Sequence, residues 1–424
     1  MVSESRLKIA VIGSGVAGIT ASYLLQRGHD VTLYEKNDYI GGHTHTILIE
    51  EGPDAGTPVD TGFIVLNDRT YPLFNRFLSQ LNVSIKKTDM SFSYACRKSG
   101  LQYASRNFNT IFAQRYNLLR PSFWQMLLGI VRLNSKTRRK LQQGNLYGLS
   151  LGEYFEQEGF GKNLIENYLI PMAAAIWSTS DAGMMDFPAE SFFRFFENHG
   201  LLTITDQPQW YVIDGGSHSY VKAFLESFRG RVFKNHGVIS VLRTEAGPVI
   251  RIENGEEEQY DRVIIAAHAD EACRMLADPS PDEIRLLSPW QYIANDTLLH
   301  TDISLLPSNH RAWASWNYMR ENERESEFPV RVTYHMNRLQ HLTTEKHYCV
   351  TLNPGKTIRR EHIIRDLAYT HPLFTFEALK SQKELATLNG RRNTYFCGSY
   401  LGSGFHEDAV RSAVKVAERF GIEL

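Results

Sequence analysis

Near the start of the chain, VIGSGVAGIT (residues 11–20) places Gly13, Gly15 and Gly18 directly behind the apolar run Ile9 to Ile12. The order is strand (Lys8 to Ile12), glycine turn, helix (Val16 to Gln26), strand (Val31 to Tyr34) and then Glu35, a βαβ unit closed by an acid. Each glycine has a steric task. Gly13 permits the tight turn, Gly15 lets a pyrophosphate approach the backbone, and Gly18 brings helix and strand together. Ser14, Val16 and Ala17 complete the loop and the first helical turn, where unpaired N–H groups and about half a positive charge face the phosphates. Glu35, seventeen residues beyond Gly18, is placed to accept hydrogen bonds from ribose hydroxyls, with Lys36 beside it.

This unit fits NAD and FAD alike. Gly41 and Gly42, followed by His43, discriminate: a second glycine pair lets the chain recross the pyrophosphate from its other side, an extension found in FAD proteins. Three later segments agree. VDTGFIVLN (59–67) puts Asp60, Gly62 and Phe63 in a loop able to pass close to a flat ring, and NHGVISVLR (235–243) is a strand that can hold the adenine at Val238. YDRVIIAAHADEA (260–272) is a strand ending in small residues. Finally, a strand from Thr394 to Cys397 runs through Gly398, Ser399 and a glycine-rich bend at Gly404, Phe405 and His406 into a closing helix. The chain thus returns to its first nucleotide site, as an elongated FAD requires. There is no second G-x-G-x-x-G for a nicotinamide nucleotide.

At 424 residues and 42% apolar composition the chain exceeds one ordinary domain, and two are expected. Cys96, Cys273, Cys349 and Cys397 form no C-x-x-C pair, so they suggest neither a disulfide framework nor a zinc site and read as reduced cytosolic thiols. The opening MVSESRLKIAVIG lacks a signal-peptide pattern, and no apolar stretch reaches the roughly 18 residues of a membrane span, so a cytoplasmic location is expected. The formal net charge of -1 hides an asymmetry: residues 90–152 hold ten Lys and Arg and no acid, leaving -1 - 10 = -11 for the rest. Within that stretch PSFWQMLLGIVRLNSKTRRK has Pro121 at a first helical position, an apolar segment from Phe123 to Leu133 and a basic end. Such a helix suits peripheral docking at the anionic inner face of a membrane, and equally a lid packed over a substrate cavity. No nucleic-acid motif accompanies the charge, so no nucleic acid is expected as partner.

These segments, in this order, resemble the flavin-containing amine oxidase superfamily over essentially the whole chain. RAWASWNY (311–318), VTYHMNRLQHL (332–342), TLNPGK (351–356), THPLF (370–374) and FCGSYLGSGFHEDAVRSA (396–413) resemble a bacterial branch of predicted NAD/FAD-binding oxidoreductases. That branch is similar to the flavoprotein part of plant cyclopropane fatty acid synthases and to methyl-fatty-acid desaturases. The resemblance implies an α/β fold with a discontinuous Rossmann-like FAD-binding domain (1–75, 212–285 and 386–424) and an interleaved α+β substrate domain (76–211 and 286–385). It implies noncovalent FAD, since no Cys sits beside the expected flavin loop. Two positions depart from the superfamily pattern: His43 stands where Arg is common, and Ser399 where an acid is common. Each replaces a charged contact by a neutral one.

The implied activity is FAD-dependent dehydrogenation of a modified or unsaturated fatty acyl chain, free or in phospholipid. Amine or polyamine oxidation, fatty acid isomerisation, and lipid presentation to a partner methyltransferase are the alternatives. The strand on which superfamily oxidases often carry a lysine resembles QYIANDTLLHTD (291–302), which has none. His335 and His406 are the candidate bases, with ordinary pKa values suited to neutral pH. Strand alternation would set His43 and His45 on one face, but no third ligand is apparent and no metal is expected. Glu407 and Asp408 are expected to face solvent in the first turn of the closing helix, complementing its dipole. Trp313, Trp316, Tyr318 and Tyr334 are expected to line a hydrophobic pocket.

Overall fold

The computed structural model describes residues 6–177, 181–203, 207–320, 331–355 and 357–424; the first five residues of the segment read for a leader lie outside them. A five-stranded parallel sheet forms in the spatial order Arg231–Phe233, Asp30–Tyr34, Lys8–Ile12, Arg262–Ile265 and Thr394–Phe396. Its strands come from widely separated parts of the chain. The central Ile9 to Ile12 run is apolar at every position because both faces of a parallel sheet are covered.

The first helix, Val16–Leu25, is buried at nine of its ten positions. A helix apolar all round has no solvent face, and this one is enclosed between the sheet and the closing helix His406–Glu418, sharing a core of Ile19, Leu24, Val410 and Ala413. A small antiparallel sheet, Val238–Thr244 with Gly247–Ile252 and Glu257–Gln259, flanks this layer.

The second large sheet has seven strands in the order Ile363–Pro372, Tyr292–His300, Cys349–Leu352, Val332–His335, Trp316–Arg320, Phe92–Cys96 and Gln102–Ala104. All neighbours are antiparallel except Trp316–Arg320 with Phe92–Cys96. Helices pack beside it, among them the 23-residue helix Pro121–Gln143 and the phenylalanine-rich Ala189–Asn198. Pro121 is at its start and Gly144, left-handed at φ 71°, ends it. Among the described residues no helix is long and apolar enough to cross a membrane.

Candidate active site

A cavity of about 1580 Å³ runs between the two large sheets, beyond the roughly 300–1,000 Å³ of ordinary ligand pockets. At one end lies the glycine turn. A Cβ at Gly18 would stand 1.9 Å from the Gly13 carbonyl oxygen, so only glycine lets the helix sit this close behind the turn. Gly41 pairs in parallel with Gly15, bringing the second glycine pair onto the first, and its N–H donates to Ser14 Oγ at 3.3 Å. Glu35 is buried; its Oε2 accepts from the Ser14 N–H (3.0 Å) and hydroxyl (2.6 Å), and its Oε1 from the Asn37 N–H (2.9 Å). A carboxylate offers about four acceptor positions, so Oε1 retains capacity for a ligand hydroxyl.

Further along, the backbone at 62–63 crosses that of His43. A Cβ at Gly62 would lie 2.2 Å from the His43 carbonyl oxygen, and the Phe63 N–H donates to that oxygen at 2.7 Å. Asp60 does not reach the cavity. It is fully buried, accepts from Thr46, Ser217 and Gln340, and is pushed up to about 6 by burial, so it anchors the loop that carries Gly62. The Phe63 ring stacks on His406 with centroids 3.6 Å apart, and His406 Nε2 bonds the Thr44 hydroxyl at 3.1 Å. Burial holds His406 neutral, well below the ordinary histidine range, at the first residue of the closing helix. Asp408 accepts the N–H groups of Ser403 and Phe405, leaving those of His406 and Glu407 without a protein acceptor among the described residues.

The cavity wall also contains histidines that sequence reasoning missed. His43 sits with ring centroids 6.1 Å from His268 and 5.6 Å from His371. Burial, and then the neighbouring imidazoles, lower His43 to about 3; burial lowers His371 to about 4 and also lowers His268. His43 Nε2 donates to the Thr370 carbonyl at 3.2 Å, so it supplies a neutral donor where a guanidinium would supply charge. Among the described residues no group of His, Cys, Asp and Glu is arranged to hold a metal ion.

Residues 16–297 match the family model described as flavin containing amine oxidoreductase. The chain belongs to that family. Over 97 residues it is 31% identical to the 1-hydroxycarotenoid 3,4-desaturase of Flavobacterium sp. (strain P99-3), a match covering 23% of this chain and 18% of that protein. It shares its fold with a CLA-producing fatty acid isomerase from P. acnes (TM-score 0.66, 15% identity, 99% of each chain). It shares it equally with a putrescine oxidase bound to putrescine (TM-score 0.70, 12% identity, 98% of this chain and 99% of that one). The protein is therefore an FAD-dependent oxidoreductase with the α/β amine-oxidase fold.

The residues present fit FAD: a Cβ at Gly13, Gly41 or Gly42 would meet backbone while Gly15 faces open space, Glu35 keeps acceptor capacity, and one cavity wall includes both this turn and the start of the closing helix. Gly13, Ser14, Gly15, Val16, Ala17, Glu35, Lys36, Gly41, Gly42, His43, Gly62, Phe63, Val238, Gly398, Ser399, Gly404, Phe405 and His406 all line the wall. Gly18 lies behind it, acting through packing alone.

Five expectations need correction. His335 is outside the wall: its Nε2 bonds His347 Nδ1 at 3.0 Å under the Trp313 ring, where it is lowered to about 4 by burial, so it reaches no reacting group. Of the four aromatics only Trp316 and Tyr334 line the cavity; Tyr318 is buried further along its strand against Tyr94, and Trp313 is tied to the Pro307 carbonyl. His43 and His45 lie outside the strand, which begins at Thr46; both approach Tyr369, but only His43 lines the cavity. Glu407 faces inward, accepting the N–H groups of Leu73 and Phe74 at the start of helix Pro72–Gln80. Tyr292–His300 contributes nothing to the wall, which instead takes Ala368 to Pro372 from the neighbouring strand. THPLF carried this last signal, but only strand pairing reveals which residues turn inward.

Proposed function

We propose that the enzyme dehydrogenates a long apolar chain, a fatty acyl chain with an allylic or branched carbon. The observation that carries this reading is the limb of the cavity lined by Leu127, Ile130, Met172, Ile176, Trp316 and Tyr334. Asp89 is the one carboxylate in that limb among the described residues, and Arg106 and Arg338 already stand 2.7 and 3.7 Å from it. An ammonium group entering there would lose its water without gaining an unpaired anion, a cost of several kcal/mol. An acyl chain has no such cost and gains about 25 cal/mol for each Å² of apolar surface buried. The one lysine in the wall among the described residues, Lys36, is paired with Glu271 at 2.7 Å at the nucleotide end. The similarity to a carotenoid desaturase and to a fatty acid isomerase supports an apolar chain as substrate.

Bound FAD supplies the two-electron acceptor. With that acceptor in place the substrate would lose a hydride and a proton from adjacent carbons and gain a carbon–carbon double bond. The weak hydride donor strength of an ordinary acyl C–H is why an activated carbon is required. The N–H groups of His406 and Glu407, at the positive end of the closing helix, favour negative charge developing against them. His406, held neutral by burial and tied through Nε2 to Thr44, fixes the Phe63 ring; the same burial makes it a poor base, so its part is positioning.

The test is anaerobic mixing of the flavin-loaded protein with linoleate, a branched-chain fatty acid, phosphatidylglycerol or putrescine, following visible flavin absorption. Bleaching by an acyl substrate, with a product two mass units lighter, is expected. Bleaching by putrescine alone, or double-bond migration without net reduction, would overturn the reading in favour of amine oxidation or isomerisation.

A further inference from the structure

Seven of the sixteen exposed large apolar side chains among the described residues fall between residues 108 and 131. Leu119 is 88% exposed, Leu128 66% and Phe108 65%. On the long helix Pro121–Gln143, Trp124, Leu128 and Val131 are spaced i, i+4, i+7 and form one outward stripe. At 100° per residue the same stripe continues through Ser135 to Arg138 and Arg139, about 20 Å along the axis from Trp124. Both arginines are exposed with no carboxylate partner among the described residues, whereas Lys136 and Lys140 turn back to Glu158. The Trp124 indole N–H donates to the Leu118 carbonyl at 2.9 Å, fixing the loop that presents Leu119.

The helix has a second role on its inner flank. Leu127, Ile130 and Val131 line the substrate limb of the cavity, as do Phe108 and Ile111 across the gap. Val131 belongs to both surfaces, so the outward apolar stripe and the cavity wall meet at one rim. Arg106 stands at the same rim.

We propose that this face docks on an anionic lipid bilayer, with the apolar stripe among the acyl chains, Arg138 and Arg139 on the phosphates, and the cavity mouth opening into the lipid. The docking surface follows from exposure and charge; that a lipid chain then enters rests on the proposed function. A second copy of this chain is a poorer occupant. Residues 90–152 contain no acid, so a twofold contact through this face would leave the arginines without counter-charges. A lipid phosphate surface provides them, and an acyl chain can pass from bilayer to cavity without crossing water.

The experiment is cosedimentation of the flavin-loaded protein with vesicles of phosphatidylcholine alone and of phosphatidylcholine mixed with phosphatidylglycerol. Binding is expected to the mixed vesicles and to weaken with salt. The pair R138Q/R139Q should bind about thirtyfold more weakly, each arginine being worth about fivefold, and L119D/L128D should lose binding at every lipid composition. An unchanged flavin spectrum in each variant shows that the fold is retained. Failure of the wild type to sediment, unchanged binding by both variants, or a wild-type dimer that L119D/L128D converts to monomer would overturn the proposal. Flavin reduction by detergent-dispersed linoleate separates the two ideas. Reduction without vesicle binding defeats docking alone, and vesicle binding without reduction by any acyl substrate defeats the proposed reaction alone.

Discussion

Glu35 shows how much one side chain must satisfy at the nucleotide end. Its two oxygens already accept three donors from Ser14 and Asn37, and these bonds set the loop on which the phosphates rest. Glu35→Gln replaces one acceptor oxygen by a donor that faces the Ser14 or Asn37 N–H. One charge-assisted bond is lost and an N–H is left opposed, about 1.5–3 kcal/mol. Flavin should bind about tenfold to a hundredfold more weakly in a fluorescence titration, while far-ultraviolet dichroism stays unchanged; undiminished affinity would remove Glu35 from the site. Glu35 was legible because local chain order fixed it, an acid at the end of the second strand behind a glycine turn. His268 and His371 were not. One follows a central strand of the parallel sheet and the other ends the edge strand of the second sheet, so only the packing of the two sheets brings both beside His43.

The closing helix illustrates a different limit. Its glycine-rich entry and its return to the first nucleotide site were evident in the sequence, and the strand Thr394–Phe396 does join the sheet beside Arg262–Ile265. What the sequence hid was the helix's partner. Acids in a first turn suit the dipole of their own helix, and Asp408 does serve that end, accepting the N–H groups of Ser403 and Phe405. Glu407 serves a neighbour: its carboxylate spans the N–H groups of Leu73 and Phe74, joining helix Pro72–Gln80 to the cavity-facing end of the closing helix. Glu407→Ala leaves two N–H groups at a buried helix start unpaired and should cost about 1–3 kcal/mol. The thermal midpoint should fall by a few degrees. Flavin affinity should fall less than in Glu35→Gln, because the N–H groups of His406 and Glu407 are backbone and remain. A thermal midpoint equal to wild type would show that the two helices are held together by their apolar contacts alone.

At the scale of the whole molecule, alternating strand and helix signals and glycine spacing revealed a nucleotide fold assembled from distant segments, since each is a local pattern. The seven-stranded sheet and the cavity between the two layers depend on which non-local strands pair, and no local pattern specifies that. Burial of histidines, in the cavity wall and elsewhere, affects the stability of the entire protein. His43 is lowered to about 3 by burial, and His199, His300, His335 and His371 each to about 4 by burial as well. In the unfolded chain these five titrate near about 6.5. As pH falls below that value the unfolded state takes up protons that the folded state refuses, so stability is complete above about pH 6.5 and declines toward pH 4. Asp60, raised to about 6, works in the opposite direction, because between its ordinary value and 6 the folded state holds a proton that the unfolded state has released. The five histidines outweigh this one carboxylate, so unfolding takes up protons near about pH 5 and stability falls as the pH drops. Urea unfolding of the flavin-free protein should therefore show its midpoint falling steeply between pH 6.5 and pH 4.5, about, with little change from pH 7 to 8. A midpoint constant across the acid range would mean that these histidines are charged or hydrated when folded, and, for His43, His199 and His371, that the cavity they line is not the low-dielectric space an acyl chain requires.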